Sequence, residues 1–306
     1  MAFSAAESKL VSIFCQSVLY GVYVVLFTAT TYTLLWGNKA RRSVRRHNML
    51  FVSFLIFVIA TMHMATNFSR IVLAFIIHAD APGGPAAFFN ELSNFTQMFG
   101  STLYVFQTLL GDALVLYRSY LVWERKLWIV AFPCLLLLGS TATGIGILYA
   151  FDKVVPLADV FVVQLGHWIT AFFSMTFTTN VICTSLVAYR IWTLNHRRKH
   201  GDSMRRHALR PALLLIVESG ACYSATLLAL LILYNVDSWF QYVVLDSVSP
   251  IVGIVFSVIM LRIASGVSTE EGETALLGES GVVNSGGGGV QLSVLDADPD
   301  QKTVAV

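Results

Sequence analysis

Residues 10–38 read LVSIFCQSVLYGVYVVLFTATTYTLLWGN, 29 residues without one Asp, Glu, Lys or Arg. About 20 helical residues cross a hydrocarbon core about 30 Å thick, so this stretch is long enough to span a bilayer. Four more charge-free runs follow at 47–69, 92–111, 127–151 and 160–189, of 23, 20, 25 and 30 residues. Two further apolar stretches hold one acid each: 211–234 contains Glu218 and 239–261 contains Asp246. Seven spans result, over 12–36, 49–77, 95–123, 127–151, 160–192, 211–234 and 239–262. The expected fold is all-α: a polytopic, seven-transmembrane-helix bundle over 12–263, between a short N-terminal segment (1–11) and a tail (264–306).

Composition agrees. Only 12% of the 306 residues are charged and 56% are hydrophobic, where a soluble domain carries about a quarter charged residues. This excludes a soluble enzyme, a secreted disulfide scaffold and a nucleic-acid-binding domain. The first run is too long for the h-region of a signal peptide, and its basic cluster follows the apolar stretch instead of preceding it. Cys15, Cys134, Cys183 and Cys222 all fall within spans, without CxxC or Cys/His spacing. No metal and no cofactor is expected.

Orientation follows from the basic residues, which are retained on the cytoplasmic side of short loops. Lys39, Arg41, Arg42, Arg45 and Arg46 follow the first span, and Arg118, Arg125 and Lys126 flank the turn after the third. Arg190, Arg197, Arg198, Lys199, Arg205, Arg206 and Arg210 follow the fifth, 15 in all. The other side holds Lys9 and Lys153, with Arg70 near the end of the second span. The N-terminus is expected outside and the C-terminus in the cytoplasm. Trp36, Trp123, Trp128 and Trp192 then fall at the inner boundary and Trp239 at the outer one, where indoles favour the headgroups. Residues 80–90, with Pro82, Gly83, Gly84 and Pro85, make the longest outer loop. Asn94-Phe-Thr and Asn67-Phe-Ser match the glycosylation pattern, Asn94 being the candidate at the edge of a span. The tail carries seven acids against Lys302 and a glycine run at 286–289, a composition that cannot bury enough apolar area to order itself. It reads as a disordered cytoplasmic tail.

Ionisable groups inside a bilayer are costly and normally face protein or water, so their helical neighbours define the interior. At 100° per residue Asp112 shares a face with Asn94, Gln97, Ser101, Thr108 and Ser119. His63, Asn67 and Arg70 form a stripe on the second span. Gln164, His167, Thr170, Ser174, Thr178 and Ser185 form one on the fifth, and Tyr242, Asp246, Ser249, Pro250, Gly253 and Ser257 one on the seventh. Glu218 lies with Ala221, Cys222, Ala225 and Ala229 on the sixth. Five stripes turned inward predict a polar, partly hydrated cavity, with the first and fourth helices peripheral. Its candidate ligand-binding or relay residues are Asp112, Glu218, Asp246, His63, His167 and Arg70. At about 1.5 Å per residue, Asp112 and Glu218 lie about 17 and 11 Å from the inner boundary and can approach each other. Asp246 and Arg70 form a second pair.

Four segments carry a resemblance: GDALVLYRSYLVW (111–123), TNVICTSLVAYRIW (179–192), ESGACYS (218–224) and SPIVGIVF (249–256). Each is similar to segments of a large family of uncharacterised seven-span membrane proteins from basidiomycete fungi. That resemblance implies a topology like that of G-protein-coupled receptors and adds no ligand or catalytic residue. The expected function is a receptor or sensor in the plasma membrane, not an enzyme. Arg197, Arg198, Lys199, Arg205 and Arg206 are available to an anionic lipid or to a cytoplasmic signalling protein such as a G protein. A rhodopsin-like receptor is disfavoured because Tyr117-Arg118-Ser119 stands where an acid-Arg-Tyr triplet is expected. A retinal protein is excluded by the absence of Lys from the seventh span. The alternative is a small-solute or proton-coupled transporter using the intramembrane carboxylates.

Overall fold

The computed structural model of the chain describes residues 5–36, 44–90, 94–153, 159–197, 203–236 and 238–261. These residues are helices and short turns, with no strand among them. The helices are α1 (Ala5–Trp36), α2 (Val44–Val72), α3 (Gly84–Asn90), α4 (Phe95–Val122), α5 (Leu127–Lys153), α6 (Asp159–Arg197), α7 (Ser203–Asn235) and α8 (Gln241–Leu261). Seven of them are long and apolar enough to cross a membrane, all but α3. Their apolar stretches match the seven runs read from the sequence.

The helices pack in sequence order, α1 on α2, α2 on α4, α4 on α5 and α6, and α6 on α5 and α7. α8 fills the middle. Two thirds (67%) of its apolar stretch is buried, against 17% for α1. It is also the most hydrophobic span, with a mean hydropathy of 2.2, and a strongly apolar helix is one that its neighbours can enclose. One apolar cluster joins Tyr104, Phe172, Phe173, Tyr223, Leu227, Val248 and Val252 from α4, α6, α7 and α8. A second joins Tyr23, Ile56, Ala60, Phe256 and Met260 from α1, α2 and α8. Gly253 lets α8 approach α1 closely, because a Cβ placed there would lie 2.5 Å from Tyr23 Cζ. On α5, Gly139 makes room in the same way for Met175 of α6 and Gly144 for Val105 of α4, where a Cβ would lie 2.8 and 2.7 Å away.

The connections follow local chemistry. α2 ends in a π-turn over Leu73–Ile77. Gly83 and Gly84, at φ +87° and +58°, turn the chain into α3, a conformation glycine adopts without a Cβ penalty. The expected long loop is thus partly helical, and Phe88 and Phe89 of α3 bury against Ala74. The paired aromatics supply the apolar area that orders it. Asn94 caps α4, its Oδ1 accepting from the Thr96 backbone N–H at 3.0 Å and from Thr96 Oγ1 at 2.9 Å. The turn from α4 to α5 puts Glu124 and Arg125 at φ +55° and +64°. Beside it Arg190 Nη2 meets Glu124 Oε1 at 2.5 Å.

Candidate functional site

The polar side chains gather near the end of the bundle where α1 and α8 begin and α2 finishes. Asp246, six residues into α8, receives Ser12 Oγ at 2.5 Å and Lys9 Nζ at 3.1 Å on its Oδ2. Lys9 also lies over the Tyr242 ring, 4.4 Å from its centroid. One turn deeper, Gln16 of α1 holds α2 with both ends of its amide. Its Oε1 accepts from Asn67 Nδ2 at 2.9 Å and its Nε2 contacts His63 Nδ1 at 3.1 Å. Because the amide oxygen is taken by Asn67, the nitrogen donates to His63. Nδ1 is then an acceptor, the imidazole proton sits on Nε2 and the ring is neutral. Arg70 donates through Nη1 to Gln97 Oε1 of α4, and its guanidinium stands 5.7 Å from the Phe89 ring centroid. Its Nε is buried without a hydrogen-bond partner.

Below this cluster Gln107 of α4 and Ser249 of α8 form a closed pair. Gln107 Nε2 donates to the Ser249 carbonyl at 2.7 Å, and Ser249 Oγ donates to Gln107 Oε1 at 2.8 Å. Pro250 follows immediately. A helical proline removes the hydrogen bond to the carbonyl four residues back, here the carbonyl of Asp246. The residue that carries the buried carboxylate is therefore also the point where the ladder of α8 is broken.

Lys9, Asn67, Arg70 and Asp246, with Ile13, Ile71 and Phe89, line a cleft. Its volume is about 10 Å³, about enough for one water. The expected hydrated cavity is thus replaced by polar groups packed against one another around a small opening. Hydrogen-bonding partners supplied by α1 make the difference, since each one removes a polar group that water would otherwise solvate.

His63, Arg70, Asp246 and Asp112 all face inward, as their stripes predict. The expected Asp246–Arg70 pair does not form. Lys9 and Ser12 take the carboxylate, and Arg70 turns to Gln97 instead. Asp112 is fully buried (0% exposed), and Thr176 faces it from α6. Neither carboxylate oxygen nor the Thr176 hydroxyl is in hydrogen-bonding geometry. Arg118 lies over Phe256, 5.6 Å from its centroid, not beside Asp112.

Two candidates fall on the outer surface. Glu218 is exposed together with Ala221, Cys222 and Ala225, while Tyr223, Leu227 and Leu230 of α7 fill the core. Its carboxylate is therefore turned away from the interior and does not meet Asp112. Large apolar side chains bury more area than alanine and cysteine, and they take the inner face. His167 is likewise exposed, as are Gln164 and Ser185. The inner face of α6 is Thr176, Thr179, Asn180 and Cys183. Thr170 and Thr178 satisfy themselves by bonding the Gly166 and Ser174 carbonyls at 2.9 and 2.7 Å, so their hydroxyls do not require an inward position. α1, expected at the periphery, supplies Lys9, Ser12 and Gln16. Its buried residues Ser12, Gln16, Tyr23, Thr30 and Leu34 recur at helical spacing, and this was the available signal. Asn67, the second sequon, is turned into the bundle on Gln16. Arg198, Lys199 and the tail lie outside the described residues, as do the side chains of Arg197, Arg205 and Arg206.

Seven apolar helices around a polar interior define a multi-pass integral membrane protein in contact with the lipid bilayer. No protein-family model, curated protein or solved structure matches the chain.

Proposed function

We propose that the chain is a receptor-like sensor of the plasma membrane, related to the fungal seven-span proteins it resembles and without enzymatic activity. One observation carries this reading: α8 joins the cleft to the middle of the bundle. Asp246 lines the cleft, its carbonyl is the one freed by Pro250, and Ser249 is held by Gln107 of α4. A ligand that draws Lys9 or Ser12 away from Asp246 acts on the same helix turn that contacts α4. Sensors need such an element with two arrangements, biased by differential contacts in the cleft. In the orientation set by the 15 basic residues the cleft opens outside. The arginine-rich end then faces the cytoplasm, where an acidic signalling protein such as a G protein meets it.

A second reading, a proton-coupled transporter, draws on Asp112, a buried carboxylate without a hydrogen-bond partner. Glu218 on the outer face deprives that relay of its second carboxylate. The two readings separate by measurement. Cells carrying a G-protein reporter should respond through the intact chain and lose the response in the Gln107→Leu and Ser249→Ala variants. Purified chain in liposomes should move no protons or solute. Flux that depends on Asp112 refutes the sensor.

A further inference from the structure

The cleft holds more positive than negative charge. Among the described residues that line it, Lys9 and Arg70 face a single carboxylate, Asp246, and His63 is neutral because Gln16 donates to its Nδ1. Asp246 is committed to Lys9 and Ser12. Arg70 is 5% exposed and its one hydrogen bond among the described residues goes to a neutral amide, leaving Nε without a partner. A buried cation served only by an amide is costly, and an anion in hydrogen-bonding reach removes that cost. The opening beside it is too small for a bulky group and has apolar walls, Ile13, Ile71 and Phe89.

We propose that this cleft binds the carboxylate group of a small organic acid. Arg70 is the principal contact, because its guanidinium lines the cleft with only the Gln97 amide for a hydrogen-bond partner among the described residues. Lys9 carries its charge to the same opening, and Asn67 supplies the amide hydrogen not used on Gln16. Only the carboxylate takes the one-water space, and the short apolar body of the acid lies at its mouth against Ile13, Ile71 and Phe89. Asp246 competes with the ligand for Lys9, so binding loosens the Lys9–Asp246 pair and frees the turn of α8 that ends at Pro250.

The site names the ligand class for the sensor reading, yet it is tested without signalling. Full-length chain is purified in detergent, and its thermal midpoint is followed against butyrate, against butylammonium and against chloride, in a constant sulfate background. Butyrate should raise the midpoint saturably, while butylammonium and chloride should not. Arg70→Gln should weaken the apparent affinity at least tenfold, and Arg70→Lys should weaken it less. Asp246→Asn, which removes the competitor, should tighten it several-fold even though the ligand-free variant is less stable. A residue that only supports the fold moves the ligand-free midpoint and leaves the ligand dependence alone. Glu91, next to Phe89 and Asn90 in sequence, lies outside the described residues. Glu91→Gln should leave the butyrate response in place or strengthen it. No butyrate shift, the same shift in Arg70→Gln, or an equal shift from chloride overturns the proposal. Binding in the purified chain with a silent reporter refutes the sensor and keeps the site, whereas a reporter response without binding refutes the site.

Discussion

Gly253→Ala probes the contact that brings α1 to α8, and with it Lys9 and Ser12 to Asp246. A Cβ at this position would stand 2.5, 2.6 and 2.7 Å from Cζ, Cε2 and Cε1 of Tyr23, where carbon atoms normally rest about 3.5–4.0 Å apart. The ring must therefore retreat by about 1 Å. It has little room to do so: Tyr23 is 1% exposed, with the rings of Phe57, Tyr20 and Phe27 at 5.9, 6.3 and 6.3 Å. Overpacking a tight core costs about 1–3 kcal/mol, and a ring walled on three sides belongs in the upper half of that range. Replacing a helical glycine by alanine returns about 0.5–1 kcal/mol of backbone entropy. The net expectation is a loss of about 2 kcal/mol. Reversible unfolding of the purified chain in mixed detergent, read by tryptophan fluorescence, measures it. The cycle with Tyr23→Leu isolates the clash, since in that background the same alanine should cost under about 0.5 kcal/mol. The coupling should reach about 1.5 kcal/mol, within the range for residues in contact. A Gly253→Ala variant as stable as the parent, or equally damaging with leucine at position 23, would refute the reasoning.

Three further outcomes follow from the same contacts. Lys9→Met strands the Asp246 carboxylate with Ser12 alone and should cost about 3 kcal/mol, while adding Asp246→Leu should recover most of it, because the damage comes from the orphaned charge; a double variant no more stable than the single contradicts this. Glu124→Gln should cost under about 1 kcal/mol in the same unfolding assay despite the 2.5 Å contact with Arg190, because the Glu124 side chain is 68% exposed and water screens such pairs. Asp112→Asn should keep or raise stability by about 1 kcal/mol, since the carboxylate has no hydrogen bond to lose and a neutral amide of the same shape is cheaper to bury. A clear loss in that variant would mean that the carboxylate has a partner.

The spans were legible because charge exclusion acts on every residue that crosses hydrocarbon, and it writes itself into composition over 20 or more positions. Which face of a span turns inward is written more faintly. On α4 and α2 the titratable groups and the buried face coincide, so Asp112, His63 and Arg70 were placed correctly. On α6 two polar faces compete. The one with more Ser and Thr lost, because threonine hydroxyls bond their own helix carbonyls at no tertiary cost. On α7 small residues were read as an inner face, but tyrosine and leucine fill space in a protein core better than alanine does.

α1 shows the limit from the other side. Its mean hydropathy of 2.0 and 17% burial mark it as a peripheral helix, and Gln16 carries no charge to draw notice. A glutamine amide nevertheless has both a donor and an acceptor end. Inside a bilayer each must find a partner or cost free energy, so one uncharged residue fixed two positions of α2 and the tautomer of His63. The same argument makes Arg70 the unresolved group of this end of the bundle. Lys9 and Asp246 answer each other, and Asn67 holds Gln16. Arg70 has an amide for one nitrogen and no partner for Nε, within a cleft whose one carboxylate among the described residues is bound elsewhere. A buried cation that lines an opening and has one neutral amide for a partner is where an anion from outside gains most, because the pairing offsets a desolvation cost already incurred on folding.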